Sequence, residues 1–367
     1  MNKESTNTER LGLSSSVINA AKGVLICLVV LGHLTIFSKY FPGAFNVIYN
    51  FHVAGFFFLA ILLASPRQSS FFIQDRVVRY LVPYGIFVLF TSILYYMVFL
   101  YDGTFGGFAV WLKNLCVALI IGSEDTLDRV CGIRAYWFLP ALLTTLSLWY
   151  FYASASLLYR SIIMIISILG HIFVGLIPQD VKAFIPFGLH ISFFVFPLGI
   201  VIKALWEKLW RNHAVLFSLS VTLTWIGCIV IGIRWPSYSG IAGGLNVYSI
   251  INPLRLLFHD VYAVSAFLSI LSLSVLFGKT GILPLIGSQS FTIYLTHTMV
   301  WHVLLQLRLP EYLAPIQSQV VQTGIAWVIV LGVCTIISIG IARVPCLSKM
   351  LFPRRIAEWT LLKLNST

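Results

Sequence analysis

A chain of 367 residues that is 59% hydrophobic and only 10% charged lies far outside the range of soluble domains. At about 20 residues per span it has room for roughly ten transmembrane helices and for no sizeable extramembrane domain. The net charge of +12 therefore reads as basic loops facing the cytoplasm and anionic lipid, and nucleic acid is excluded as the reason for it.

The polar start, residues 1–16, leads directly into an apolar stretch long enough to stay in the membrane, so no cleavable signal is expected. Apolar segments then predict spans at 17–38, 46–64, 80–101, 136–157, 160–178, 184–203, 214–233, 256–277, 284–306 and 318–342. The segment 108–121 is short and carries Lys113 and Asn114, so it either crosses the membrane or lies along it. Charge bias decides. With ten spans and a cytoplasmic N-terminus, all of the 24 Lys+Arg face the cytoplasm except Lys39, Lys113, Arg129, Arg134, Lys182, Arg234, Arg255 and Arg308. An eleventh span would export the basic C-terminal tail. The fold class is thus all-α integral membrane, with about ten helices and both termini cytoplasmic. The expected organisation is a cytoplasmic segment 1–16, one membrane domain 17–342 and a basic cytoplasmic tail 343–367. Six cysteines are scattered without metal-type spacing; Cys116 and Cys131 could pair if their segment faces an oxidising compartment, but free thiols are the expectation.

The first two spans hold the chemistry. Lys22 and His33 are eleven residues apart, about three helical turns, which sets them on one face and roughly 16 Å apart along the axis. An ionisable residue inside a membrane is costly and reads as functional by default. In the plainer reading Lys22 only snorkels to the interface and His33 bonds a neighbouring helix. His52, on the next span, lies five or six residues from the outer surface, as His33 does, so the two imidazoles meet at about the same depth. They suit a general base with an orienting partner, or a simple mutual hydrogen bond. After the second span come Arg67, Arg76 and Arg79. Arg76 and Arg79 share a helical face, and their guanidinium forks suit phosphate, although retention on the positive side explains them equally well.

Ser290, Tyr294 and His297 form a polar stripe at i, i+4 and i+7 of the ninth span, which must face protein or water. It either lines a cavity or bonds neighbouring helices. His171 and His190 are isolated within spans, and His259-Asp260 is an acid–base candidate at the outer mouth of the eighth. No series of membrane acids suggests ion coupling, and no Walker, HExxH or GxSxG sequence occurs.

At these same positions the chain resembles the membrane acyltransferase-3 family of bacterial envelope O-acyltransferases. Asn19-Ala20-Ala21-Lys22-Gly23, continued through Leu28-Val29-Val30-Leu31-Gly32-His33, is similar to its first motif. Phe51-His52-Val53-Ala54-Gly55-Phe56-Phe57-Phe58-Leu59 is similar to its second. Arg76-Val77-Val78-Arg79-Tyr80-Leu81-Val82-Pro83-Tyr84, Trp137-Phe138-Leu139-Pro140-Ala141-Leu142 and Gly287-Ser288-Gln289-Ser290-Phe291-Thr292-Ile293-Tyr294-Leu295-Thr296-His297 complete the series. Departures are Asn19 in place of an acid, Lys22 where many relatives carry Arg, and Ala60-Ile61 in place of Ser-Gly.

The resemblance implies transfer of an acyl group, usually acetyl from cytoplasmic acetyl-CoA, to a sugar hydroxyl of a lipid-linked or surface polysaccharide such as an O-antigen. It implies a bacterial inner-membrane location, Lys22, Arg76 and Arg79 on the CoA phosphates, and His33 as general base or transient acyl carrier. His52 would orient it, and Ser290, Tyr294 and His297 would wall the substrate cavity. No metal is implied. Some relatives carry a fused periplasmic domain; this chain is expected to deliver the acyl group itself or through a separate partner. The rival readings are a flippase for a lipid-linked glycan, and an acyltransferase for a small metabolite or peptidoglycan.

Overall fold

The computed structural model describes residues 11–64, 71–99, 107–234, 252–278 and 281–353, so the expectations for most of the N-terminal segment and of the C-terminal tail, and for Arg67 and Lys279, lie outside the described residues. Helices account for nearly all of the described chain, and no strand occurs among those residues. In chain order the main helices are α1 (Ser15–His33), α2 (Thr35–Tyr40), α3 (Pro42–Tyr49), α4 (His52–Leu63), α5 (Phe71–Phe99), α6 (Phe108–Ile121), α7 (Glu124–Cys131) and α8 (Phe138–Ser154). They continue as α9 (Leu157–Phe173), α10 (Leu189–Leu205), α11 (Arg211–Arg234), α12 (Pro253–Phe277), α13 (Ile282–Ser288), α14 (Ser290–Gln306) and α15 (Gln319–Arg343).

Eight helical stretches among the described residues are long and apolar enough to cross a membrane, and the protein is an all-α, multi-pass membrane protein. The other two spans expected from the sequence coincide with α8 and α14, each a helix of 17 residues. Helix α6 has 14 residues between two left-handed glycine positions, Gly107 (φ 97°) and Gly122 (φ 64°), where an L side chain would be strained.

The first two spans differ from the continuous helices that hydropathy suggests. The first stops at His33, because Leu34 turns extended (φ −76°, ψ 116°), and resumes as α2. The second is interrupted at Phe51 (φ −148°) between α3 and α4. Leu34 and Phe51 are each 1% exposed. Interrupted backbone at membrane depth persists only where protein buries it or a wet cavity meets it.

The chain forms two compact units. One consists of Met1–Ser65, Ser167–Leu176 and Phe194–Ile336, over its described residues. Helix α1 is its axis. It packs most extensively on α13, and also on α4, α12 and α14, which is why its apolar residues run all round the helix and eleven of its 19 are buried. Small residues set the distances. A Cβ on Gly23 would overlap the Leu283 carbonyl, and one on Gly287 would overlap the Asn19 carbonyl, so α1 and α13 touch backbone to backbone. Gly55 of α4 admits Leu25, and Gly278, which caps α12, sits against Ala20. At the start of α1 the Ser14 hydroxyl accepts from Val17 N (3.3 Å) and Ser16 donates to Gly278 O (3.2 Å). Lys203 of α10 donates to Leu62 O and Ala64 O, each at 3.0 Å, placing a cation on the carbonyl end of α4.

The other unit comprises Pro66–Ile166, Ile177–Phe193 and Ile337–Thr367, again over its described residues. Helices α5 to α8 and the start of α10 build it, joined by polar contacts: Tyr84 Oη to Ala118 O (2.7 Å), Trp111 Nε1 to Ser92 Oγ (3.0 Å), and Thr145 Oγ1 of α8 to Ser192 Oγ of α10 (3.0 Å). Ser123 and Thr126 form a capping box at the start of α7, and Gly132 ends it in the left-handed region. Cys116 and Cys131 are free thiols.

The α1–α13 contact generates a prediction. Gly287→Ala forces the two backbones apart and should cost about 3 kcal/mol or more. Gly324→Ala, on α15 with open space around it, should leave stability unchanged. Thermal unfolding of the detergent-purified variants measures both.

Candidate active site

His33 is the last residue of α1 and His52 the first of α4, so the two interruptions bring the ends of successive membrane helices together. Between them stands Tyr49, the last residue of α3. Its ring lies 4.6 Å from that of His52 and 6.3 Å from that of His33, and it stacks on Phe45 at 4.0 Å. Its hydroxyl donates to Gly32 O at 3.2 Å, satisfying one of the carbonyls that the end of α1 leaves open. Gly32 is required there, since a Cβ would come within 2.9 Å of the Tyr49 ring.

From α14, His297 brings its ring to 5.0 Å from His33, and Tyr294 lies 5.8 Å from His297. Both are buried, whereas Ser290, at the start of the helix, is half-buried. His302 also lies within electrostatic range of His33. The resemblance assigns His297 to the wall of a substrate cavity; the structure sets its ring beside that of His33, with Tyr294 next to it on the same helix.

Hydrogen bonding fixes the tautomers of two of these rings. His52 Nδ1 is 2.9 Å from Ile48 O, and His297 Nδ1 is 2.6 Å from Tyr294 O and 3.2 Å from Ile293 O. A carbonyl only accepts, so each Nδ1 carries the proton and each neutral ring presents a bare lone pair at Nε2. Both Nε2 atoms are buried and have no hydrogen-bond partner among the described residues. A buried acceptor left in that state costs about 1–3 kcal/mol. It is matched by a group that donates, such as a hydroxyl or an N–H. His33 differs from both in being only half-buried. The described residues contain no cluster of three His, Cys, Asp or Glu arranged for a metal.

The remaining basic candidates divide between the units. Lys22 is half-buried on α1, on the same unbroken helix as His33, so the three-turn separation expected from the sequence holds as continuous helix. Arg76 and Arg79 belong to the other unit. They already lie on helix, since α5 begins at Phe71 instead of near residue 80, and Arg79 sits 6.0 Å from the Tyr80 ring centroid.

Residues 16–343 match the family model described as an acyltransferase domain, acyltransferase-3. The chain belongs to the acyltransferase-3 family. No curated protein and no solved structure matches it. The acyltransferase therefore rests on its family membership for reaction class, and on its own geometry for everything finer.

Sequence reasoning missed Tyr49 and Gly32. The available signal was local: Pro42-Gly43 starts a new helix, and Phe45 and Tyr49 form an i, i+4 aromatic pair leading into His52. Tyr49→Phe removes one hydrogen bond and should lower stability by about 1 kcal/mol. Tyr49→Ala also removes the ring between His33 and His52 and should cost about 3–5 kcal/mol. Equilibrium unfolding in mixed micelles distinguishes the two.

Proposed function

We propose that this acyltransferase moves an acetyl group from cytoplasmic acetyl-CoA to a hydroxyl of an O-antigen or another envelope glycan, in a bacterial inner membrane with both termini in the cytoplasm. Family membership supplies the reaction class. One observation supports the mechanism: a half-buried imidazole, His33, stands at the interrupted end of a membrane helix beside the buried His52 and His297.

In this reading the glycan hydroxyl attacks the thioester carbon. The new C–O bond forms as the C–S bond breaks, the hydroxyl proton passes to His33, and the departing thiolate takes up a proton to become the CoA thiol. The bare Nε2 of His52 and of His297 would each accept a hydroxyl of the acceptor, which orients the reacting pair. Tyr49 fixes the backbone of Gly32 and with it the position of His33. Lys22, about 16 Å down the same helix, is suited to the phosphates of CoA, with the pantetheine arm running along α1; Arg76 and Arg79 carry guanidinium forks of the kind that suits phosphate. A transient acyl-imidazole on His33 is the other route; it accumulates acylated protein when the acceptor is withheld.

His33→Ala at normal protein level should abolish acetylation of the surface glycan, read by mass spectrometry of glycan from cells with and without the protein; full acetylation removes His33 from the mechanism. Lys22→Arg should retain acetylation and Lys22→Gln should lose most of it. Equal activity of the two returns Lys22 to a membrane-interface anchor.

A further inference from the structure

The unit that holds the histidine cluster buries a second set of ionisable groups. His171 of α9 and His259 of α12 are each 7% exposed, and Asp260 follows His259. The His171 ring stacks on Phe194 of α10, with centroids 4.6 Å apart and planes at 17°, and the His259 ring lies 5.5 Å from the same Phe194 ring. His171 Nδ1 is 2.7 Å from Phe194 O, and its Nε2 is 2.9 Å from Asp260 Oδ2. His259 Nδ1 is 3.4 Å from the other oxygen, Oδ1. The sequence leaves His171 isolated; the fold gives it an acid.

Proton counting makes this arrangement specific. The Phe194 carbonyl only accepts, so His171 Nδ1 must donate. A neutral imidazole has a single N–H, and its Nε2 would then turn a lone pair toward Asp260. Against an ionised carboxylate, two lone pairs would face each other at 2.9 Å. Only two states satisfy the contact: an imidazolium donating to a carboxylate, or a protonated carboxyl donating to a neutral imidazole. Both hold one proton more than a neutral histidine beside an ionised aspartate. Among the described residues, the ionisable groups acting on the pair are the two partners themselves and His259.

We propose that His171 and Asp260 form a proton-binding site, with a single shared proton as its ligand, that locks α9 and α10 to α12. Two residues beyond Asp260 on α12, Tyr262 donates to Val47 O at 3.3 Å, in the turn of α3 that ends at Tyr49. The proton thus holds the helix against which the His33–His52 hairpin rests. The site stands whether or not His33 is the catalytic base.

The pH dependence has a definite sign. In the unfolded chain the imidazole titrates near 6.5 and the carboxyl near 3.9. Above about pH 6.5 the unfolded state has released both protons while the folded state keeps one, so the stability this pair contributes falls as pH rises, until the folded pair releases its own proton. Below about pH 3.9 the unfolded state holds both protons and stability falls again.

Asp260→Asn tests this directly, because the carboxamide N–H donates to the Nε2 of a neutral His171 and the extra proton is no longer needed. Folding equilibrium constants from unfolding by sodium dodecyl sulfate in mixed micelles at pH 7, 8 and 9 provide the readout. The ratio of wild type to variant is expected to fall with rising pH, by at most about tenfold per pH unit, one proton's worth. Parallel pH profiles would overturn the proposal. Should that variant not fold, the paired replacement His171→Leu with Asp260→Leu removes the site altogether, and the same divergence or the same parallel profiles decide.

Discussion

Two missing β-carbons set how the helices around His33 pack. Gly23 and Gly287 let α1 and α13 meet at backbone distance, where any larger residue would strike a carbonyl. In a membrane the hydrophobic effect does not draw helices together, so close backbone packing is what remains to hold them. Because α13 leads directly into α14, that contact also sets the height of α14 along α1. His297 consequently arrives level with His33, one helix end away from His52.

The interruptions at Leu34 and Phe51 follow from what surrounds them. Each residue is buried, each break leaves backbone groups without helical partners, and the surroundings meet part of that need. Tyr49 takes the Gly32 carbonyl, and Phe51 is wedged between Trp225 and Tyr262, with ring separations of 5.4 and 6.3 Å. At the far end of α4 the Lys203 ammonium covers the open carbonyls. The short helix His52–Leu63 is therefore tied at both ends by side chains from elsewhere in the same unit, which fixes the position of His52 at its start.

Hydropathy reads chain-crossing segments well because the bilayer enforces length, and every expected span corresponds to helix. It is blind to interruptions in the first two, since Leu34 and Phe51 are as apolar as their neighbours and neither Gly nor Pro stands at either break. His33 and His52 were legible as a pair because their distances from the loop match. The role of His297 as a direct neighbour of His33 was not, because helix spacing shows which residues share a face but not which helix that face meets. The same limit hid the His171–Asp260 pair, whose members are 89 positions apart. Glycine told more than it was credited with: Gly23 and Gly287 both lie in quoted motifs, and both prove to be contact points.

The paired breaks also multiply helix ends beside the histidines. Helix α1 ends at His33 with its carbonyls and α4 begins at His52 with its amides, partial charges of about −0.5 and +0.5, while the first turn of α2 and the last turn of α3 set opposite charges close by. In the low dielectric of a membrane protein such dipoles are little screened. Two cuts in membrane helices thus make the backbone itself a polar feature of a region that is otherwise apolar.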